Sequence, residues 1–290
     1  MSSEYATIGV VTGANKGVGL ATVRNLALQY PNSNFNKGPF LIYLTARDVG
    51  RGEAAVSQLN EDSQLRNANA LRAAGGLTDI RYYTLDIAQK ESIQDFAQYL
   101  KTTHNDGIDF VINNAGIALD GFNADLVRDT LHTNYYGSLN ATYAFLPLLK
   151  LNGRLVNVSS EAGKLSKFSP SIRSRFLSAR SVDDVTVLME EFQAAVEEGR
   201  EKDAGFPSAA YATSKAGMTG FTTVIAREEK EKGSEVLINA VTPGYTNTDM
   251  SKGNGTKTPD EGSRTLVLVA LGDIGKQTAL FWQDERPVEW

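Results

Sequence analysis

The stretch Ile8-Gly9-Val10-Val11-Thr12-Gly13-Ala14-Asn15-Lys16-Gly17-Val18-Gly19 decides how this chain is read. Its first half is short and almost wholly apolar, as expected of a strand covered on both faces. Its second half turns, through three glycines, into a helical pattern over 18–30. Gly13 permits a tight turn, Gly17 lets backbone approach a pyrophosphate, and Gly19 allows close packing of helix on strand. The helix start then presents free N–H groups to anionic oxygens. The spacing is Gly-x-x-x-Gly-x-Gly rather than the commoner Gly-x-Gly-x-x-Gly, and a purely structural turn is the plain alternative. Its place at the first strand–helix junction favours a nucleotide.

The rest of the chain repeats that alternation. Candidate strands are Ala6–Thr12, Phe40–Ala46, Ile80–Leu85, Phe110–Asn113, Leu155–Ser159, Val236–Val241 and Thr278–Trp282. Helical patterns lie near 18–30, 51–74, 90–104, 123–150, 209–232 and 259–271. Short strands alternating with helices imply right-handed crossovers and a parallel sheet with helices on both faces. The expected fold is therefore α/β, a doubly wound Rossmann sheet of about seven strands. No linker, low-complexity tract or internal repeat divides the 290 residues, so one domain over 1–290 is expected.

One interval breaks the rhythm. Residues 161–208 contain no clear strand, but Val185, Leu188, Met189, Phe192 and Val196 recur at helical spacing opposite acidic positions. An inserted amphipathic helix is expected there. It is either a surface excursion or a cap beside the site, since its ends join the elements that carry the chemistry. Its stripe should bury itself on the outer faces of 123–150 and 209–232, from which a monomer is expected; a new dimer made through the insertion itself is the competing outcome.

Composition narrows the function. A net charge of −5 with no Lys/Arg cluster argues against nucleic acid or an anionic membrane as partner. There are no cysteines, and only His104 and His132, so neither a disulfide framework nor a metal site is expected. No apolar stretch reaches membrane-spanning length and the start lacks a basic leader, so a cytoplasmic protein is expected.

Arg47 ends the second strand, where a site for an unphosphorylated dinucleotide usually places a carboxylate. With Lys16 in the glycine turn, two cations can converge on a ribose 2′-phosphate, which favours NADP(H). Asp48 follows directly and is the competing candidate for the carboxylate role. Further along, Tyr211-Ala212-Thr213-Ser214-Lys215 puts a phenol and an amine one helical turn apart on one face. A phenol with a pKa of about 10 is a poor neutral-pH acid. A neighbouring ammonium is expected to lower it.

Taken together, the chain resembles the short-chain dehydrogenase/reductase superfamily over nearly its whole length. The residues carrying the resemblance stand in family order: the turn 12–19, Asp86-Ile87, Asn113-Asn114-Ala115-Gly116, Asn134, Ser159-Ser160, Tyr211-x-x-x-Lys215 and Pro243-Gly244. Within it, Asn15-Lys16-Gly17, Thr45-Ala46-Arg47-Asp48, the long insertion and the tail Val288-Glu289-Trp290 are similar to the monomeric NADPH-dependent carbonyl reductases. Two places depart from that branch. Tyr245 stands where those enzymes have tryptophan, and Glu161-Ala162-Gly163 where they have bulkier apolar residues.

The resemblance implies an enzyme that reduces an aldehyde or ketone, a small-molecule carbonyl substrate, with NADPH. Tyr211 would give the proton, Ser160 would polarise the carbonyl, Lys215 would tune the tyrosine and hold the nicotinamide ribose, and Asn134 would hold a relay water. Ser159, on the opposite strand face, is the weaker donor. Gly13, Asn15, Lys16, Gly17, Val18, Gly19 and Arg47 would bind the phosphate-bearing half of the cofactor. Asp86 would meet the adenine, Ile87 would lie beside it, and Asn113, Ala115 and Gly116 would shape the adenosine side. Pro243, Gly244, Tyr245, Thr246 and Thr248 would border the nicotinamide. Ser160, Glu161, Tyr211 and Tyr245 would face substrate. A biosynthetic reductase of one cyclic ketone stays open as an alternative, as does a non-enzymatic dinucleotide sensor. A sensor has no need of a complete Ser–Tyr–Lys set.

Overall fold

The computed structural model describes residues 4–290. Eight strands form one sheet: β1 (Thr7–Val11), β2 (Phe40–Ala46), β3 (Thr78–Thr84), β4 (Ile108–Asn113), β5 (Leu149–Val158), β6 (Leu237–Val241), β7 (Phe281–Gln283) and β8 (Arg286–Val288). Their spatial order is β3-β2-β1-β4-β5-β6-β7-β8. All pairings are parallel except the last, where β8 folds back on β7. That eighth strand goes beyond the seven expected. It follows a two-residue turn in which Asp284 and Glu285 both have positive φ, 51° and 60°. Such a turn matches the twist of a tight hairpin.

Every residue of β1, β2 and β4 is buried, which fits their mostly apolar sequences; the buried Asp109 of β4 is paired with Lys150 Nζ at 2.7 Å. One face is covered by α1 (Gly17–Gln29) and α10 (Pro259–Leu271), whose Val23, Leu26, Leu266 and Val269 pack with Ile42, Ile112 and Val156. The other is covered by α4 (Lys90–Thr103), α5 (Ala124–Leu131), α6 (Ser138–Phe145) and α9 (Ala210–Glu231). The strand order reverses between β1 and β4, so the crevice for a ligand opens at their carboxyl ends.

Two expected helices are subdivided. The 51–74 pattern becomes α2 (Val49–Asn60) and α3 (Ser63–Asn67), because Asp62 accepts hydrogen bonds from Gln64 N and Leu65 N and starts a new helix. The 123–150 pattern is interrupted at His132–Gly137 by a widened π turn, and β5 has begun by Leu149.

The insertion holds two helices rather than one, α7 (Pro170–Ser178) and α8 (Val182–Glu197). Ser169 caps the first, and Ser181 with Asp184 forms a reciprocal cap on the second. The stripe of α8 is buried with Val127, Leu131, Tyr135 and Phe221 of the α5–α6 and α9 helices. Gly217 of α9 lets α8 come this close: a Cβ there would stand 2.6 Å from Met189 Sδ. The chain end returns to the same cluster, with the Trp290 ring 5.7 Å from Phe176 of α7.

Candidate active site

A cleft of about 640 Å³ lies at the reversal of strand order. The glycine turn forms one wall. Gly13 has φ +60°, and a Cβ on it would stand 2.7 Å from Ala115 Cα. At Gly19 a Cβ would meet Asn114 Nδ2 at 2.6 Å. Asn114 is the clamp here, since its Nδ2 donates to Thr12 O (2.9 Å) and Gly13 O (3.0 Å). Lys16, the N-cap of α1, makes no side-chain capping bond among the described residues, so the helix N-terminus is left open to the cleft. Lys16, Arg47 and Arg51 bring cations to the same space. An open helix start, a turn with glycine at 13, 17 and 19, and three cations fit a phosphorylated dinucleotide. Asp48 is engaged as the N-cap of α2, its Oδ1 accepting from Arg51 N at 2.8 Å.

Of the residues singled out from the sequence, Gly13, Asn15, Lys16, Gly17, Val18, Gly19, Arg47, Asp86, Ile87, Ala115, Gly116, Tyr211, Lys215, Pro243 and Thr248 line this cleft. The side chain of Asn113 does not. It is buried beneath the cleft and donates to Asn157 Oδ1 at 2.9 Å, tying β4 to β5. Thr246 folds onto its own loop, donating to Pro243 O and Gly244 O. Tyr245 is exposed beyond the cleft lining. Asn114, Arg51, Leu119, Asp249 and Met250 line the cleft and were not anticipated. Asn114 had a readable signal, because alternation along a strand end puts Asn113 and Asn114 on opposite sides.

Beyond the glycine turn, β5 ends at Val158 and delivers Ser159-Ser160 against the first turn of α9, which carries Tyr211. The two serines diverge. Ser159 Oγ is buried and donates to Lys215 O at 2.9 Å. Ser160 Oγ accepts from Ala162 N at 3.1 Å, and its hydroxyl is near enough to the Tyr211 phenol to draw the phenol pKa down. Asn134 sits in the π turn with no exposure at all. Its Oδ1 accepts from Ile117 N and its Nδ2 donates to Ile117 O, both at 2.8 Å. An asparagine paired this fully has a constructed place, and π turns recur where a helix must aim one side chain.

The electrostatics differ from expectation in one respect. Burial pushes the Tyr211 phenol above its ordinary 10.0, and the partner pulling it back down is the Ser160 hydroxyl rather than Lys215. Lys215 is itself lowered to about 7 by burial, with its Nζ donating to Val158 O at 2.7 Å. Both groups therefore hold their neutral forms more readily than in water. The set contains a phenol that keeps its proton, a hydroxyl able to stabilise the phenolate, and an amine poised to exchange protons near neutrality. That is acid–base equipment for a substrate oxygen. Glu161 follows Ser160, and its Oε2 accepts from Gln283 Nε2 at 3.1 Å.

The sequence matches the short chain dehydrogenase family over residues 7–171 and 198–259. The gap between those matches falls on most of α7 and all of α8. The chain is 35% identical to carbonyl reductase (NADPH) 1 of Homo sapiens over 98% of both chains. Among solved structures, it is similar to salutaridine reductase from Papaver somniferum, with a TM-score of 0.79 and 25% identity. That match covers 95% of this chain and 99% of the other. Menthone neomenthol reductase from Mentha piperita shares the fold, with a TM-score of 0.74, 23% identity and coverage of 95% and 97%. With a full-length relative of this identity and a family match over most of its residues, the chain belongs to the short chain dehydrogenase family.

Proposed function

We propose that this protein is an NADPH-dependent carbonyl reductase, converting an aldehyde or ketone to an alcohol with Tyr211 as the proton donor. The observation that carries the reading is that Tyr211 and Lys215 line the cleft that the glycine turn opens, with the Ser160 hydroxyl near enough to draw the phenol pKa down. Relatives named carbonyl reductase (NADPH) over 98% of the chain support both the reaction and the cofactor.

NADPH, when bound, supplies the hydride. Gly13, Asn15, Gly17, Val18 and Gly19 would seat its pyrophosphate, Arg47 and Lys16 its 2′-phosphate, and Asp86, Ile87, Ala115 and Gly116 its adenosine side. Ser160 and Tyr211 direct their hydroxyls at one substrate oxygen and stabilise the charge that develops there. Tyr211 gives up its proton, and the phenolate that remains is held by Ser160. Lys215, with a pKa near neutrality, can pass a proton towards it. Asn134 fixes the Ile117 backbone beside the cleft and, through Nδ2, approaches Ser214 Oγ at 3.2 Å.

The protein acts as a cytoplasmic monomer in this account. Burial of the α8 stripe on α5 and α9 supports the oligomeric part, because it removes the apolar surface on which a second copy would pack. Among the described residues no helix is long and apolar enough to cross a membrane. A second reading is a reductase dedicated to one cyclic ketone; the likeness to salutaridine reductase, a protein named for a single substrate, favours a dedicated enzyme. Following NADPH oxidation against aromatic aldehydes, quinones, α-keto esters and cyclic ketones separates the two. Broad turnover supports the general reductase, turnover of one cyclic ketone supports the second, and no turnover with any carbonyl refutes both.

A further inference from the structure

We propose that Asp249 competes with the 2′-phosphate of NADPH for Lys16 and so sets how strongly this site discriminates a phosphorylated from an unphosphorylated dinucleotide. The inference rests on the NADPH reading above.

Residues 245–257 form a flap over the cleft. Its base is closed by Thr256 N and Lys257 N, which donate to Tyr245 O at 2.8 and 3.0 Å, and by Asn247 N, which donates to Lys257 O at 2.8 Å. Its tip is a short turn at Asp249–Ser251. Two ion pairs run from the tip to other parts of the protein. Asp249 meets Lys16 of the glycine turn at 2.6 Å, and Lys252 meets Asp120 at 2.8 Å. The flap is thus latched to the wall that a dinucleotide must approach.

Lys16, Asp249 and Arg47 all line the cleft. Among the described residues no ion pair engages Arg47, so it is free for an incoming phosphate. Lys16 is not free, because Asp249 already satisfies it with a carboxylate, the nearest side-chain analogue of a phosphate oxygen. The Lys16 ammonium holds the Asp249 carboxyl below its ordinary range, which favours the charged form. A 2′-phosphate reaching Lys16 must displace that carboxylate or remain beside it. Either outcome weakens the phosphorylated cofactor, and neither touches a cofactor that ends in a ribose hydroxyl. The pair is exposed, at 60% and 78%, so solvent screening keeps the effect small.

The test is the dissociation constant of NADPH and of NADH from the free protein, by calorimetry or fluorescence quenching. It is run for wild type, Asp249→Asn, Lys16→Met and the double variant. Asp249→Asn is expected to tighten NADPH about two- to five-fold and leave NADH unchanged, and the gain is expected to vanish in the Lys16→Met background. Unchanged or weaker NADPH binding in Asp249→Asn overturns the proposal. So does an equal gain for NADH, or a gain that survives without Lys16, since either marks simple removal of a negative charge near the cleft. The reading beneath is judged separately by the wild-type protein. Equal affinity for the two cofactors there refutes NADPH selectivity whatever Asp249 does.

Discussion

The Nζ of Lys215 lies 5.7 Å from the centre of the Tyr211 ring. Both groups sit in one poorly solvated pocket, and burial moves them in opposite directions, the phenol up and the amine down to about 7. Such divergence is how a protein keeps an acid protonated next to a base that can exchange protons near neutrality.

The lowered lysine makes a stability prediction. In the unfolded chain the amine keeps its ordinary value of 10.5, so the folded state binds this proton more weakly. Below about pH 7 both states are protonated and the folded state bears the full cost of a buried charge. As pH rises from there towards 10.5, only the unfolded chain holds the proton and the cost is relieved. Lys215→Met removes it, so in the free protein this variant should gain roughly 2–5 kcal/mol over wild type at about pH 6 and much less at about pH 9. Denaturant titration at both pH values checks this. A difference between the proteins that does not change with pH contradicts the lowered pKa.

Arg47 makes a prediction about cofactor choice. Charge-assisted hydrogen bonds to a phosphate are worth roughly 1.5–3 kcal/mol, so Arg47→Ala should weaken NADPH by more than about tenfold. NADH binding should hardly change. Equal loss of both would mean that Arg47 acts on something common to them, such as the pyrophosphate.

The insertion makes a prediction about packing and assembly. A side chain at Gly217 would collide with Met189 Sδ and the Tyr135 ring, 2.6 and 2.8 Å from its Cβ. Gly217→Val should therefore cost about 1–3 kcal/mol of stability as α8 is pushed off α9. Light scattering of the wild type should give a mass near 31.4 kDa. A mass twice that refutes the monomer, and an undiminished stability of Gly217→Val refutes the packing.

Much of this was legible because it rests on periodicity and on glycines that backbone geometry requires. Ser159 Oγ turns to Lys215 O while the Ser160 hydroxyl bears on the Tyr211 phenol, and the α8 stripe lies on the faces its apolar pattern demanded. What escaped depends on local hydrogen bonds that no period announces. The β7–β8 hairpin turns on Asp284-Glu285, a pair lacking the usual glycine. α3 restarts on the single carboxylate of Asp62, and α7 on the hydroxyl of Ser169 ahead of Pro170. Within the site, the roles of Asn113 and Asn114 turn on which side of the β4 end each faces. The part assigned to Lys215 in lowering the phenol pKa failed for a different reason. Sequence spacing shows that two groups are close but not how dry the space around them is, and here dryness outweighs proximity.

The central claim is that Tyr211 delivers the proton, and Tyr211→Phe tests it most directly. The measurement pairs the NADPH dissociation constant with kcat for a carbonyl substrate that wild type turns over. The phenyl ring keeps the packing and loses only the hydroxyl. NADPH affinity should stay near that of wild type while kcat falls by a factor on the order of 10²–10⁴. Near-normal turnover by a correctly folded Tyr211→Phe protein would contradict the account.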